Sequence, residues 1–262
     1  MWRLYRKLIR ASIRAQMQYK LNFLTSAVTT GLIMVLDFLV LSTILYRFDD
    51  VNGWSIYEVG LLYGISSTSI SMYRMIAPEL HDFEKYIIHG ELDQLLIRPV
   101  SPLLLLLTRY LDLSRIGGIV QGVAILVISL GGLYVQGKDI LLLVCFLPVA
   151  VAAGCCLYFA ISLCTAAASF WTQQIKDMQT FTIYAPANAA NYPVSLYPDW
   201  LKWLFYSVLP IAYMNYVPML ALLGKGGEWY YPFLTPIVAA VFMWLAVCFW
   251  RAGIRHYHST GS

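Results

Sequence analysis

"HGELDQLLIRPVSP", His89–Pro102, is a charged, turn-flanked segment set between two long apolar runs. Its reading decides the fold. Leu92, Leu95 and Leu96 are apolar and alternate with Glu91 and Asp93, and the Arg98-Pro99 step closes the segment. Proline disfavours helix at the residue before it, so a short helix here stops by Arg98. Just upstream, "PELHDFEKYIIHG", Pro78–Gly90, puts a proline at a first helical position, acids in the first turn and a glycine at the end. Those are start and stop signals of a second short helix. Leu80, Phe83 and Ile87 share one face of it. A plain connector needs only about 4–6 residues. Residues 77–101 therefore read as an ordered, amphipathic element rather than a tether, and such a helix outside a bilayer wants a partner groove.

The flanking runs say what the knuckle interrupts. The chain has 262 residues, 60% hydrophobic and 12% charged. A soluble domain carries roughly a quarter charged residues. Repeated apolar runs of about 20 residues identify helical membrane spans, and their continuity, without alternation, excludes an outer-membrane barrel. The predicted fold class is all-α integral membrane, one domain over residues 1–262. About six spans are expected at this length requirement. They lie near Asn22–Leu45, Ile56–Ile76, within Pro102–Val135, near Ile140–Phe170, from Met178 to Ser195, and near Tyr231–Trp250.

Residues 1–20, "MWRLYRKLIRASIRAQMQYK", put Arg3, Arg6, Lys7, Arg10 and Arg14 on one helical face. Trp2, Leu4, Tyr5, Leu8 and Tyr19 lie towards the other, as expected of an amphipathic helix on an anionic leaflet. "LFYSVLPIAYMNYVPMLALLG", residues 204–224, is apolar, but Pro210, Asn215 and Pro218 break it. Irregular backbone at membrane depth survives only when buried in protein. A re-entrant helical hairpin within the outer segment 196–229 is expected, not a seventh span. With both termini in the cytoplasm, all lysines and arginines but Arg47, Lys138, Lys202 and Lys225 fall inside. That is the positive-inside pattern. A seventh span would put Arg251 and Arg255 outside.

Several function classes lack residues. No His-Glu-x-x-His or Gly-x-Ser-x-Gly is present, and His81, His89, His256 and His258 all fall in cytoplasmic segments. The five cysteines all fall in spans, with no Cys-x-x-Cys. No metal site, catalytic residue or nucleic-acid partner is expected. "GLYVQGKD", Gly132–Asp139, approaches the phosphate-loop pattern, but Asp139 stands where a magnesium-binding hydroxyl is needed. No nucleotide site is expected. Asp37 is the only deep acid in a span, and intramembrane ionisable groups are costly enough to suggest function. Asp37, Tyr184, Tyr213, Asn215 and Tyr216 are candidate pathway residues; the aromatics crowding 192–231 form either an interfacial belt or a substrate exit. Arg109, Asp112 and Arg115 follow i, i+3, i+6 spacing, so Asp112 can pair with either arginine along one helix face.

The N-terminal basic helix, "GELDQLLIRPVSPL" after span two and "YPVSLYPDWLKWLFYSVLPIAYMNYVP" before the last span carry a resemblance. The chain resembles the permease subunits of ABC-2 type ABC transporters, in the compact branch often paired with a second similar permease. The large extracellular domain of some relatives is missing. The resemblance implies a permease of the inner (cytoplasmic) membrane that exports its substrate. It implies partnership with a dimer of cytoplasmic ABC ATPases, which hold the ATP and magnesium, and with a second permease. This chain would bind no cofactor and would not be an enzyme alone. A coupling helix in 77–101 would transmit ATPase closure, with Glu79, Phe83, Glu84, Ile87, Glu91, Leu92, Asp93 and Leu96 as the contact surface. The alternatives are an ion-coupled secondary transporter working through Asp37, and a non-transporting membrane scaffold.

Overall fold

The computed structural model describes residues 2–47, 53–172 and 175–257. The side chains of Trp2, Arg3, Leu4, Tyr5, Arg6 and Arg47, and all of His258, lie outside the described residues. Helices α1 (Trp2–Met17), α2 (Lys20–Arg47) and α3 (Ile56–Ile76) open the chain. The knuckle follows as α4 (Pro78–His81), α5 (Glu84–Ile88) and α6 (Glu91–Leu96). Then come α7 (Pro102–Arg109), α8 (Ile116–Val135), α9 (Leu141–Thr172), α10 (Lys176–Gln179), α11 (Ala185–Ala189), α12 (Asp199–Ser207), α13 (Tyr216–Leu222) and α14 (Tyr231–His256). No strand occurs among the described residues.

Four helical stretches are long and apolar enough to cross a membrane: Lys20–Val40, Leu113–Val135, Leu141–Thr172 and Tyr231–His256. The pair Asp199–Ser207 and Ile211–Leu222 passes the same test together but bends by 74°. That break falls at the predicted hairpin, where Pro210 removes a backbone donor. The expected count of six apolar spans is therefore not met by length and apolarity alone. The second expected span, α3, is long enough but carries Ser66, Ser67, Thr68, Ser69 and Ser71. All five are buried. This helix is the hub of the bundle, packed along α8 and α9, and its surroundings are protein rather than lipid. Several of its polar groups find partners there, although the Thr68 hydroxyl has none among the described residues. Ser66 and Tyr158 hydroxyls lie 3.0 Å apart, Ser69 donates to the Val151 carbonyl at 3.1 Å, and Tyr73 is hydrogen-bonded to Ser162. Interhelical hydrogen bonds of this kind are how membrane bundles accommodate hydroxyls.

The fifth expected span, Met178–Ser195, is a shorter helix, Lys176–Ala189, with a π-helical turn at Thr180–Tyr184. Pro186 cannot donate and crowds the carbonyl one turn back, which a wide turn relieves. The helix stops early because its last carbonyls are satisfied from outside. The Tyr197 hydroxyl donates to Ala189 at 3.0 Å, and the Asn215 amide donates to Ala190 at 2.6 Å.

The third apolar run is also divided. Tyr110 is extended (φ −145°), separating α7 from α8. The amphipathic helix α1 docks at this break. Ser12 accepts the Leu111 amide at 3.1 Å and Gln16 accepts that of Leu113 at 3.1 Å. Helix α2 meets α8 backbone to backbone: a Cβ on Gly117 would overlap the Ala27 carbonyl oxygen. Small residues permit that approach between spans.

Candidate functional site: the knuckle and the polar cleft

The knuckle turns at Gly90, whose left-handed φ of 64° joins α5 to α6, a conformation glycine adopts without strain. Its apolar face looks inward. Phe83 is fully buried, with ring centroids 4.9 Å from Trp250 of α14 and 5.5 Å from Phe170 of α9. Ile87 and Leu92 are buried with it. Of the expected contact surface, Phe83, Ile87 and Leu92 are held by the chain's own bundle, because a fully apolar face finds its nearest cover there.

The acids are likewise engaged. Glu79 is buried, accepts the Tyr86 hydroxyl at 2.6 Å and pairs with Lys85 at 2.8 Å. Glu84 accepts the Ile175 and Lys176 amides at 2.8 and 3.3 Å, capping the start of α10. Glu91 pairs with Arg109 at 3.1 Å. Asp93 is half-buried and Leu96 exposed. The outward face consists of Ile88, His89, Gln94, Leu96, Ile97 and Arg98, with Ile97 84% exposed.

The charge cluster at the α7–α8 break differs from expectation. Arg109 is on α7 and Asp112 beyond it, so they share no helix face. Asp112 pairs with Arg115 at 2.9 Å and caps Ser114. Behind it lies a cleft of about 140 Å³ lined by Asp37, Tyr63, Ser66, Ser67, Ser71, Arg74, Arg115, Tyr184 and Asn191, among others. Of the predicted pathway residues, Asp37 and Tyr184 are brought together here. Tyr213 packs against Tyr206, Asn215 is buried with its amide spent on the Leu62 and Ala190 carbonyls, and Tyr216 packs against Trp54. None of these three lines the cleft.

Sequence reasoning missed Arg74, Tyr63 and the serines. The signal was there: "GISSTSISM", Gly64–Met72, is hydroxyl-rich inside an apolar run. Arg74 donates to the Tyr184 hydroxyl at 2.7 Å, and that hydroxyl lies 3.2 Å from His81 Nε2. Burial, and next the Arg74 charge, hold the His81 imidazole below the ordinary histidine pKa. Also missed was a cluster at the far end of the bundle. Glu58, 2% exposed, pairs with Lys138 at 2.5 Å and Lys225 at 3.0 Å. Lys138, the lysine of the phosphate-loop look-alike, is thus committed to a carboxylate.

The family model for the ABC-2 family transporter protein matches residues 32–261. The chain belongs to this ABC-2 transporter family. The expected resemblance is borne out, and the chain is a multi-pass membrane transport component of an ABC transporter. No individual curated protein and no solved structure matches it.

Proposed function

We propose that the chain is the permease subunit of an ATP-driven exporter in the cytoplasmic membrane. It works by alternating access, with both termini inside and a second permease beside it. In this reading α2, α3, α8, α9, the α10–α11 helix and α14 are the six crossings, and α12–α13 is the re-entrant hairpin. A hydroxyl-rich helix and a short one cross because protein, not lipid, surrounds them. The outward face of α5–α6 receives a cytoplasmic ABC ATPase dimer, which carries ATP and magnesium.

The observation that carries the reading is the two-sidedness of the knuckle. One face is wedged through Phe83 between α9 and α14, and Glu84 grips the start of α10. The opposite face presents Ile88, Leu96 and Ile97, 50%, 36% and 84% exposed. A push on the outer face is delivered to three helices through packed contacts. Asp37 supports a second permease: it is exposed in the middle of α2, and a carboxylate at that depth needs a partner or a wet cavity rather than lipid.

The test is purification in nanodiscs from the native host, with mass spectrometry of what co-elutes. A stoichiometric ATPase that is lost in Ile97→Asp is expected. Absence of any ATPase from the wild-type preparation overturns the reading. Solute uptake by the isolated chain, indifferent to ATP and abolished by Asp37→Asn, would instead establish ion coupling.

A further inference from the structure

We propose that the cleft beside Arg74 is a binding site for the anionic group of an amphipathic organic molecule, a carboxylate, phosphate or sulfate. The Arg74 guanidinium is the contact. The inference rests on the permease reading for its place in transport, but the binding itself does not depend on it.

Arg74 stands where two cavities meet. Arg74 and Arg115 line both the 140 Å³ cleft and an adjoining cavity of about 310 Å³ beside the knuckle. Whatever passes from one to the other passes both guanidinium groups. Of the acids lining the larger cavity, Glu79 and Asp112 are already paired with Lys85 and Arg115, and the third is Asp82. The two arginines differ in their pairing. Arg115 is paired with Asp112 at 2.9 Å. Arg74 has no carboxylate within 4.0 Å among the described residues. It makes a single side-chain hydrogen bond, to Tyr184, over whose ring it sits at 5.1 Å. A guanidinium has five donors in a planar fork that matches an oxyanion. A half-buried arginine with donors to spare and no counter-ion is a receptor geometry, since an incoming anion supplies the missing charge.

The remaining walls set the rest of the molecule. Ser67 and Ser71 offer hydroxyls, while Met34, Ile70 and Ala187 offer apolar surface. Asp37 lines the same cleft as Arg74 and, with Tyr63 and Asn191, also a neighbouring one that Arg74 does not line. On α3, Tyr63 and Arg74 are separated by about 16 Å at 1.5 Å per residue. An anion entering the cleft is therefore drawn to its Arg74 end, away from the Tyr63 end.

The experiment uses the purified chain in phosphatidylcholine nanodiscs and energy transfer from tryptophan to two dansyl probes. One is dansylundecanoate; the other has the same alkyl chain ended by trimethylammonium. Saturable binding of the anion, about tenfold tighter than the cation, is expected, the scale of one charge-assisted hydrogen bond. Arg74→Gln should weaken the anion about tenfold and leave the cation unchanged. Tyr184→Phe, which frees the guanidinium without removing it, should weaken the anion by a smaller factor. Equal binding of the two probes to wild type overturns the proposal without recourse to any variant. So does an unchanged anion affinity in a folded Arg74→Gln protein. Replacing part of the phosphatidylcholine with phosphatidylglycerol separates the sources: competition with the probe assigns the site to a lipid headgroup, and none assigns it to a soluble anion. Binding without a co-purifying ATPase would sink the permease reading and leave this one standing.

Discussion

Glu58→Gln should destabilise the far end of the bundle by about 2–4 kcal/mol, the scale of removing one member of a buried ion cluster. The Glu58 carboxylate takes Lys138 at 2.5 Å, Lys225 at 3.0 Å and the Ser55 amide at 2.8 Å. At an effective dielectric of 20 the two ion pairs have Coulomb energies of roughly 5–7 kcal/mol each. Desolvation of the carboxylate offsets several kcal/mol of that sum. The two lysine side chains keep 38% and 21% of their exposure, so both can turn to water when the acid is removed. Glutamine still accepts the Ser55 amide, which keeps the helix cap. The lysines should be strongly non-additive. Either of Lys138→Met and Lys225→Met alone leaves Glu58 one partner and should cost about 1–2 kcal/mol; together they strand a buried carboxylate and should cost about 4–5. The assay is detergent-to-SDS titration of the purified chain, followed by tryptophan fluorescence. Trp54 reports directly, with Lys225 Nζ 5.0 Å from its ring centre. A Glu58→Gln protein within about 0.5 kcal/mol of wild type, together with additive lysine variants, would refute the reasoning, because surface-like pairs behave that way.

Three further outcomes follow from other sites. Phe83→Ala should lower stability by about 3 kcal/mol and uncouple ATP hydrolysis from substrate without releasing the ATPase, whereas Phe83→Leu should restore most of both; unfolding titrations and ATPase assays on the co-purified complex decide it. Gly117→Val should abolish accumulation of folded protein, because its side chain would collide with the α2 backbone at Ala27. Gly131→Ala, with open space around it, should be neutral or stabilising by up to about 1 kcal/mol, and detergent gel filtration compares the two. His81 has a folded pKa below its unfolded one, with Arg74, Asp82, Arg115 and Lys176 around it. The unfolded chain then binds the proton more readily, so His81 subtracts stability as pH falls through the ordinary histidine value of about 6.5, levelling off below the folded pKa. Melting curves from pH 8 to 5 should show that loss in wild type and less of it in His81→Gln; identical profiles would contradict the buried, Arg74-facing imidazole.

The membrane class, the break at Pro210, the amphipathic helix α1 and the ordered knuckle were all legible in the chain. Each depends on local chemistry: apolar length, a missing amide, one charged face, a proline and a glycine at fixed offsets. The family was legible for the same reason, since its marks are patterns along the chain. The span count was not. Hydropathy measures fitness for lipid, and protein covers most of α3, so the helix read at Ile56–Ile76 is present but its serines keep it short of the apolarity of a lipid-facing span.

What the sequence determined by itself was which segments leave water and where the chain must turn. Only the tertiary structure decided which face of each helix is covered. Phe83, Ile87 and Leu92 could have met a partner or their own bundle with the same periodicity. The fold chose the bundle, because Phe170 and Trp250, far along the chain, converge on the same spot. Likewise Glu58, Lys138 and Lys225 form a cluster, and Arg74 is left without an ion pair among the described residues, through packing of helices remote in sequence. Pairings over such separations carry no local periodicity, and three-dimensional proximity alone creates them.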